Sequence, residues 1–234
     1  MAFIHRTTLT PTKLELLTTW LPTQPWYRGK GEPELVKAGG FRLDDPEGEV
    51  GIEFMAVTDT SGDQPVTYQV PFSYRGAPIA GADEALIGTT EHGELGTRWV
   101  YDGTRDPVLV AQLFALVIGE AEAQMQSTSH TPDPSVTASF AESVRVTSAI
   151  VSTTVSDTPD GTDLLVETAA DVETAADDAT AADGHRLAIH INRVLRPGQE
   201  VDEQATLGRV TAGWPLPDGT TARALFAVVS HARP

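Results

Sequence analysis

The sequence has no cysteine, only three lysines and a single asparagine, and no long apolar run. The missing cysteine removes disulfides, thiolate metal sites, iron–sulfur clusters and thiol nucleophiles together. No stretch approaches the roughly 18–20 apolar residues that span a bilayer. The first residues, MAFIHRTTLTPTKLELL, lack the charged start and long apolar block of a secretory signal. Positive charge is also scarce, with 16 Lys and Arg against 33 Asp and Glu and a net charge of −17. Phosphate binding needs clustered Lys and Arg, so neither nucleic acid nor an anionic membrane is an expected partner.

The 234 residues, 40% of them apolar, are enough to bury a core as one large domain or two small ones. The acidity is uneven. Residues 157–184 carry nine acids and no Lys or Arg. Within them TAADVETAADDATAADG nearly repeats TAAD and has Val172 as its only large aliphatic residue. Such a tract cannot bury enough apolar surface to offset its ordering cost, so a solvated acidic loop is expected.

Thr10 and Pro11 read as an N-cap and first helical residue, opening a helix through Leu14, Leu17 and Leu21. The segment PTQPWYRGKG then places Trp26 and Tyr27 beside Arg28 and Lys30. Period-two alternation marks strands in GEVGIEFMAVTD and PVTYQVPFSYRG, joined by the hairpin loop TSGDQ. Flanking strands are expected at 36–43, 85–89 and 97–101, and Pro71 inside its strand suggests an edge or a bulge. Asp106–Pro107 opens a second helix, VLVAQLFALVIGEAEAQ, apolar almost all round and so expected to be wrapped by the sheet. After the linker STSHTPDPS, residues 136–156 and 163–168 read as strands joined by the turn TPDG. The strand HRLAIHINRVL, a short helix EVDEQATLGRV and the strand TARALFAVV complete the reading. It predicts α+β architecture with units at 1–125 and 136–234.

The segments WLPTQPWYRGKG, KAGGFRL, YRGAPIAGADEALIGT and DPVLVAQLFALV resemble the N-terminal cap domain of actinobacterial maltokinases, which phosphorylate maltose in the trehalose-to-glycogen pathway. The resemblance implies a cystatin-like cap, in which a curved antiparallel sheet packs with helices. LAIHINRVLRPGQEVDEQATL resembles that family's kinase N-lobe, implying a β-rich second layer. With Pro197 and Gly198 set on the family's Pro-Gly, His190 stands where the nucleotide-binding lysine belongs, and Glu203 falls near the helix glutamate. The departures are large. Phosphoryl transfer needs a cation on the phosphates, a catalytic Asp, and an Asp and Asn for magnesium. Here Lys13, Lys30 and Lys37 all lie in the cap-like unit, Asn192 is alone, and no catalytic loop or Asp-Phe-Gly motif occurs. The resemblance stops short of a kinase C-lobe.

Other chemistry has little support. His185 and His190, five apart on one strand, face opposite sides and cannot share a metal. His92 with Glu91 and Glu94 in EHGELG is a weak metal candidate, and no Gly-x-Ser-x-Gly elbow or P-loop occurs. Trp26, Tyr27, Arg28 and Lys30 form the candidate binding surface. The aromatics either stack on a sugar or a partner protein, or pack the first helix onto its sheet. The expectation is a cytoplasmic, non-catalytic accessory or binding protein of α-glucan or trehalose metabolism, with no cofactor, no metal and no catalytic residue. Its partner would be a protein or a carbohydrate. The alternatives are an α-glucan enzyme built on scattered carboxylates, expected to show a deep pocket with two perturbed acids, and half of a split sugar kinase, expected to show a large apolar face on the second unit. The oligomeric state is not set by the sequence.

Overall fold

The computed structural model describes residues 8–141, 144, 146–169, 185–216 and 219–232. Two antiparallel sheets account for most of them. The first, seven-stranded, is built from β1 (Leu9–Thr10), β2 (Leu35–Leu43), β3 (Gly51–Asp59), β4 (Val66–Arg75), β5 (Leu86–His92), β6 (Gly96–Asp102) and β7 (Gln124–Met125), in the order β1-β5-β6-β4-β3-β2-β7. The second contains β8 (Thr137–Phe140), β9 (Ile150–Thr158), β10 (Gly161–Thr168), β11 (Arg186–Ile191), β12 (Gly208–Pro215) and β13 (Thr221–His231), in the order β8-β12-β13-β11-β10-β9. The α-helices among the described residues are α1 (Lys13–Trp20) and α2 (Pro107–Ile118).

This corrects the expected α+β, cystatin-like packing of a sheet with helices: the chain is mostly β, with a curled first sheet and a second sheet stacked on it. The helix expected in EVDEQATLGRV is replaced by turns. Asp202 caps a single turn that goes no further. Its carboxylate accepts from the N–H of Gln204 at 3.0 Å, and its carbonyl accepts from the N–H and hydroxyl of Thr206. These are the bonds of one helical turn, and pairing of the next residue with the second sheet ends it. The N–H of Leu207 then bonds the carbonyl of Val229 and leads the chain into β12.

Period-two alternation sets the layers. On β3, Ile52, Phe54 and Ala56 face the second sheet, while Met55 and Val57 face α1. The first set joins Phe41 and Leu43, the α2 residues Leu109, Leu113 and Phe114, and Leu164, Ile189, Val210 and Phe226 of the second sheet in one buried cluster. The apolar α2 is thus enclosed between the sheets. It is capped by the Asp106 carboxylate, which accepts from the N–H of Val108 at 3.0 Å, as the Asp-Pro pair predicts. Each fully buried Leu or Phe contributes roughly 1.5–3 kcal/mol, so the shared core is the main stabilising term.

The start of α1 lies two residues beyond the expected cap. Thr12, not Thr10, is the N-cap, in a capping box with Glu15. The Thr12 N–H and hydroxyl hold the Glu15 carboxyl below its ordinary range. Pro71 lies neither on an edge strand nor at a bulge. The N–H of Gln69, two residues earlier, bonds the carbonyl of Arg193, so the Pro71 nitrogen points to the same edge of β4. On that edge β6 pairs with Phe72–Arg75, and residues 193–195 bond Thr67 and Gln69. Pro71 occupies the break where β4 changes partner. The acidic stretch divides: Asp157, Asp160, Asp163 and Glu167 lie on the β9–β10 hairpin, and 170–184 lie outside the described residues, as do the first seven.

Candidate functional site

The segment carrying Trp26, Tyr27, Arg28 and Lys30 leaves α1 through the turn Leu21–Thr23, where Pro22 stops the helix. Trp26 turns inward and is fully buried. Its ring meets Trp20 edge-on at 5.7 Å and lies 6.0 Å from Tyr68. The Arg193 guanidinium stands over its other side, 4.9 Å from the ring centroid. Tyr27 stays half-buried, packs against Tyr68 at 5.5 Å and donates its hydroxyl to Asp59 at 2.8 Å. The backbone N–H of Arg28 donates to the Tyr68 hydroxyl at 2.9 Å. A Cβ at Gly29 would lie 2.0 Å from the Tyr27 hydroxyl oxygen, so a side chain there would displace the phenol from Asp59.

These residues border an open groove of about 490 Å³, lined by Thr18, Thr19, Pro22, Tyr27, Gly29, Gly31 and Glu32. The exposed Lys30 lies between its two glycines. The predicted set therefore divides. Tyr27 forms a wall, Lys30 is exposed beside it, and Trp26 lies in the core. Arg28 reaches the second sheet, donating to the carbonyl of Pro159 at 2.7 Å and pairing with Asp160 at 3.5 Å on the β9–β10 turn. The groove offers hydroxyls, a carboxylate and part of an aromatic ring. Such a surface suits a polyhydroxylated or peptide ligand.

Its charged chemistry is settled locally. Burial opposes ionisation of Asp59, but the N–H groups of Ser61 and Glu34 and the Tyr27 hydroxyl outweigh it and hold the carboxyl below its ordinary range. Burial and the bond to Asp59 push the Tyr27 phenol well up, so it is a neutral donor rather than a base. Other acids behave alike. Burial opposes the charge on Glu53, but Lys13 and the Tyr74 hydroxyl outweigh it, and Gln126 donates to the second carboxylate oxygen at 2.9 Å. Asp106 is likewise lowered: burial opposes, and the two-pronged Arg75 bond at 2.7 Å prevails. Glu15, Glu53, Asp59 and Asp106 are thus all shifted downward, opposite to the direction of a carboxyl kept protonated as a general acid.

His190 and Glu203 are not brought together as a pair. His190 Nδ1 lies 2.7 Å from Asp163 Oδ1, whereas Glu203 Oε1 accepts from Arg209 Nη1 at 2.5 Å. Register explains the separation. His190 pairs with Val228 and Val228 with Arg209, so His190 and Arg209 stand about 10 Å apart in one row across the outer face. That face bears Ser156, Asp163, Glu167, Arg186, His190 and Arg209, with Leu165, Ala188 and Val228 between them. His92 Nδ1 turns to the N–H groups of Glu94 and Leu95, and Glu91 accepts from Thr97. No group of three or more His, Asp or Glu suited to a metal occurs among the described residues.

Sequence reasoning missed Arg193. It is fully buried, donates from Nε to the Thr162 hydroxyl at 2.8 Å and from Nη2 to Asp102 at 2.5 Å and Thr104 at 3.2 Å. Asp102 ends β6 of the first sheet, Thr104 follows it, and Thr162 belongs to β10 of the second, so one guanidinium ties both sheets to Trp26. The signal was present. Leu187, Ile189, Ile191 and Arg193 fall on one period-two face, which puts the arginine on the buried side.

A protein-family model described as the maltokinase N-terminal cap domain matches residues 20–106. The match covers Trp26, Tyr27, Arg28 and Lys30 and ends at the α2 cap; α2 and the second sheet lie outside it. No curated protein matches the chain.

Proposed function

We propose that this chain is a non-catalytic, cytoplasmic accessory protein of α-glucan or trehalose metabolism that binds a carbohydrate or a protein partner. The metabolic link follows from the similarity of residues 20–106 to the maltokinase cap domain. The observation that carries the non-catalytic reading is the residue inventory. A nucleotide site needs a lysine on the phosphates, and the three lysines all precede residue 38. His190, at the position the resemblance assigns to that lysine, faces Asp163. The acids with resolved shifts support the same reading, because each is held ionised by donors around it.

On this reading the cap-like unit, taken as 1–125, supplies the binding surface through Tyr27, Lys30 and the groove between them. Trp26 anchors the segment in the core, and Arg28 ties it to the β9–β10 turn. The remainder, 136–234, is the scaffold. The test is an assay of the pure protein with ATP, magnesium and a sugar panel that includes maltose. No turnover is expected with any sugar, and steady phosphorylation of one of them would overturn the reading. Binding is followed separately by calorimetry with maltose and longer α-glucans, comparing the wild type with Tyr27→Ala.

A further inference from the structure

The C-terminal end of α1 lacks its usual complement. Pro22 stands four residues after Thr18 and has no N–H, so the Thr18 carbonyl is left without its helical donor. The end of a helix carries partial negative charge, which a basic side chain in the last turn offsets. α1 has Glu15 in its first turn and no basic residue in its last. A helical carbonyl points along the axis toward the residue four further on. Thr18 and Pro22 both line the groove of about 490 Å³, so that carbonyl stands at its wall.

The other groups of the groove are of the same kind. The Thr18 hydroxyl donates back to the Leu14 carbonyl at 2.9 Å, which leaves its lone pairs free to accept. Glu32 is exposed and has no hydrogen-bond or ion-pair partner among the described residues. The Tyr27 hydroxyl is committed to Asp59 and its ring packs on Tyr68, so Tyr27 presents ring surface to the groove. The Glu34 N–H bonds Asp59 at 3.1 Å, which sets a further pair of acids behind this wall. Charge is unbalanced in the same sense. Arg28 is paired with Asp160, which leaves Lys30 alone against Glu32, Glu34 and Asp59.

We infer that this groove is a site for an alkylammonium group, held by the Glu32 carboxylate and the Thr18 carbonyl, with its methylene stem on the Tyr27 ring. The inference rests on the reading that the groove is the chain's binding surface. An ammonium has three donors and no acceptor, which matches walls made of acceptors. A cation is attracted to an aromatic face and to the C-terminal end of a helix, and an anion is repelled by both. The net charge of −17 draws cations to the surface in general, and the groove supplies the place where one is held. Lys30, exposed between Gly29 and Gly31, then acts as a competitor, because its charge opposes that of the ligand. Its removal should tighten binding, a sign that neither a sugar nor an anion would give.

Titration of the isotope-labelled full chain with n-butylamine near neutral pH, followed by amide chemical shifts, tests this. The amides of Thr19, Gly29, Gly31 and Glu32 should move and saturate, with a dissociation constant on the order of 1–10 mM. 1-Butanol, the neutral counterpart, should leave them unmoved. Glu32→Gln should weaken binding about threefold or more, and Lys30→Met should tighten it about two- to threefold. Both positions are exposed, so the circular-dichroism melts should match the wild type. The peptide Gly-Gly-Lys-Gly-Gly, titrated in parallel, separates the sources. Binding about tenfold tighter than that of butylamine assigns the group to a lysine of a partner protein, and equal binding assigns it to a free amine. No saturable shift up to about 100 mM, an equal response to butanol, or weaker binding by Lys30→Met would each overturn the inference. Maltose moving these amides where butylamine does not would overturn it and leave the binding reading intact. Phosphorylation of a sugar would overturn that reading and leave the ammonium site.

Discussion

Replacing Arg193 with Met asks how firmly the two sheets are joined. The guanidinium is fully buried, and its partner Asp102 is 4% exposed. Methionine retains most of the apolar contact with Trp26 but removes three donors, leaving the Asp102 carboxylate buried without its cation. Removing one partner of a buried ion pair costs about 3–5 kcal/mol, because the remaining charge is uncompensated. For a chain of this size each kcal/mol lowers the melting temperature by about 2–4 °C. The expected fall is therefore about 6–20 °C, read by calorimetry or circular dichroism on the full chain. Adding Asp102→Asn removes the stranded charge and should recover part of the loss, giving a coupling of about 2 kcal/mol or more in the double-mutant cycle. A fall of under about 3 °C for Arg193→Met, or no recovery in the double variant, would refute the reasoning that this pair clamps the sheets.

Gly40 has φ +126°, and a Cβ there would lie 2.0 Å from the carbonyl oxygen of Phe54. Gly40→Ala should therefore cost several kcal/mol, on the order of 3, seen as a lower urea midpoint with an unchanged slope. Asp106 and Glu53 are held below their ordinary carboxyl range in the folded state, so their contributions are complete above the unfolded pKa of about 4. Stability should fall as the pH drops from about 5 toward their lowered folded values. Asp106→Asn, which preserves an N-cap residue, should make that acid dependence shallower in urea melts at stepped pH.

The centre of the first sheet was legible because the sequences of β3 and β4 alternate, with Val50, Ile52, Phe54 and Ala56 on one face and the hairpin loop TSGDQ between the two runs. Asp106–Pro107 announced α2 for an equally local reason. The helix in EVDEQATLGRV was misread because its pattern fits either outcome. Asp202 caps one turn, and the bond from the Leu207 N–H to Val229 on β13, a tertiary contact, stops it there. The α+β reading failed as a whole because sheet stacking is a long-range fact. Nothing local to Leu164, Ile189 or Phe226 says that they share a core with Phe41 and Phe54.

The candidate site was half legible. Composition singled out Trp26 to Lys30, but which aromatic is buried depends on residues far away. Arg193 draws Trp26 into the core, and Asp59 holds Tyr27 at the groove wall. His190 and Glu203 were joined only through resemblance. Strand register places Val228 between His190 and Arg209, and Glu203 is paired with Arg209 while His190 faces Asp163.

The central claim is that the chain lacks a working nucleotide site, and the most direct test is calorimetric titration of the pure protein with ATP and magnesium. The account predicts no saturable heat up to millimolar ATP, with the same result for His190→Ala. Saturable binding with one site per chain, abolished by His190→Ala, would contradict it.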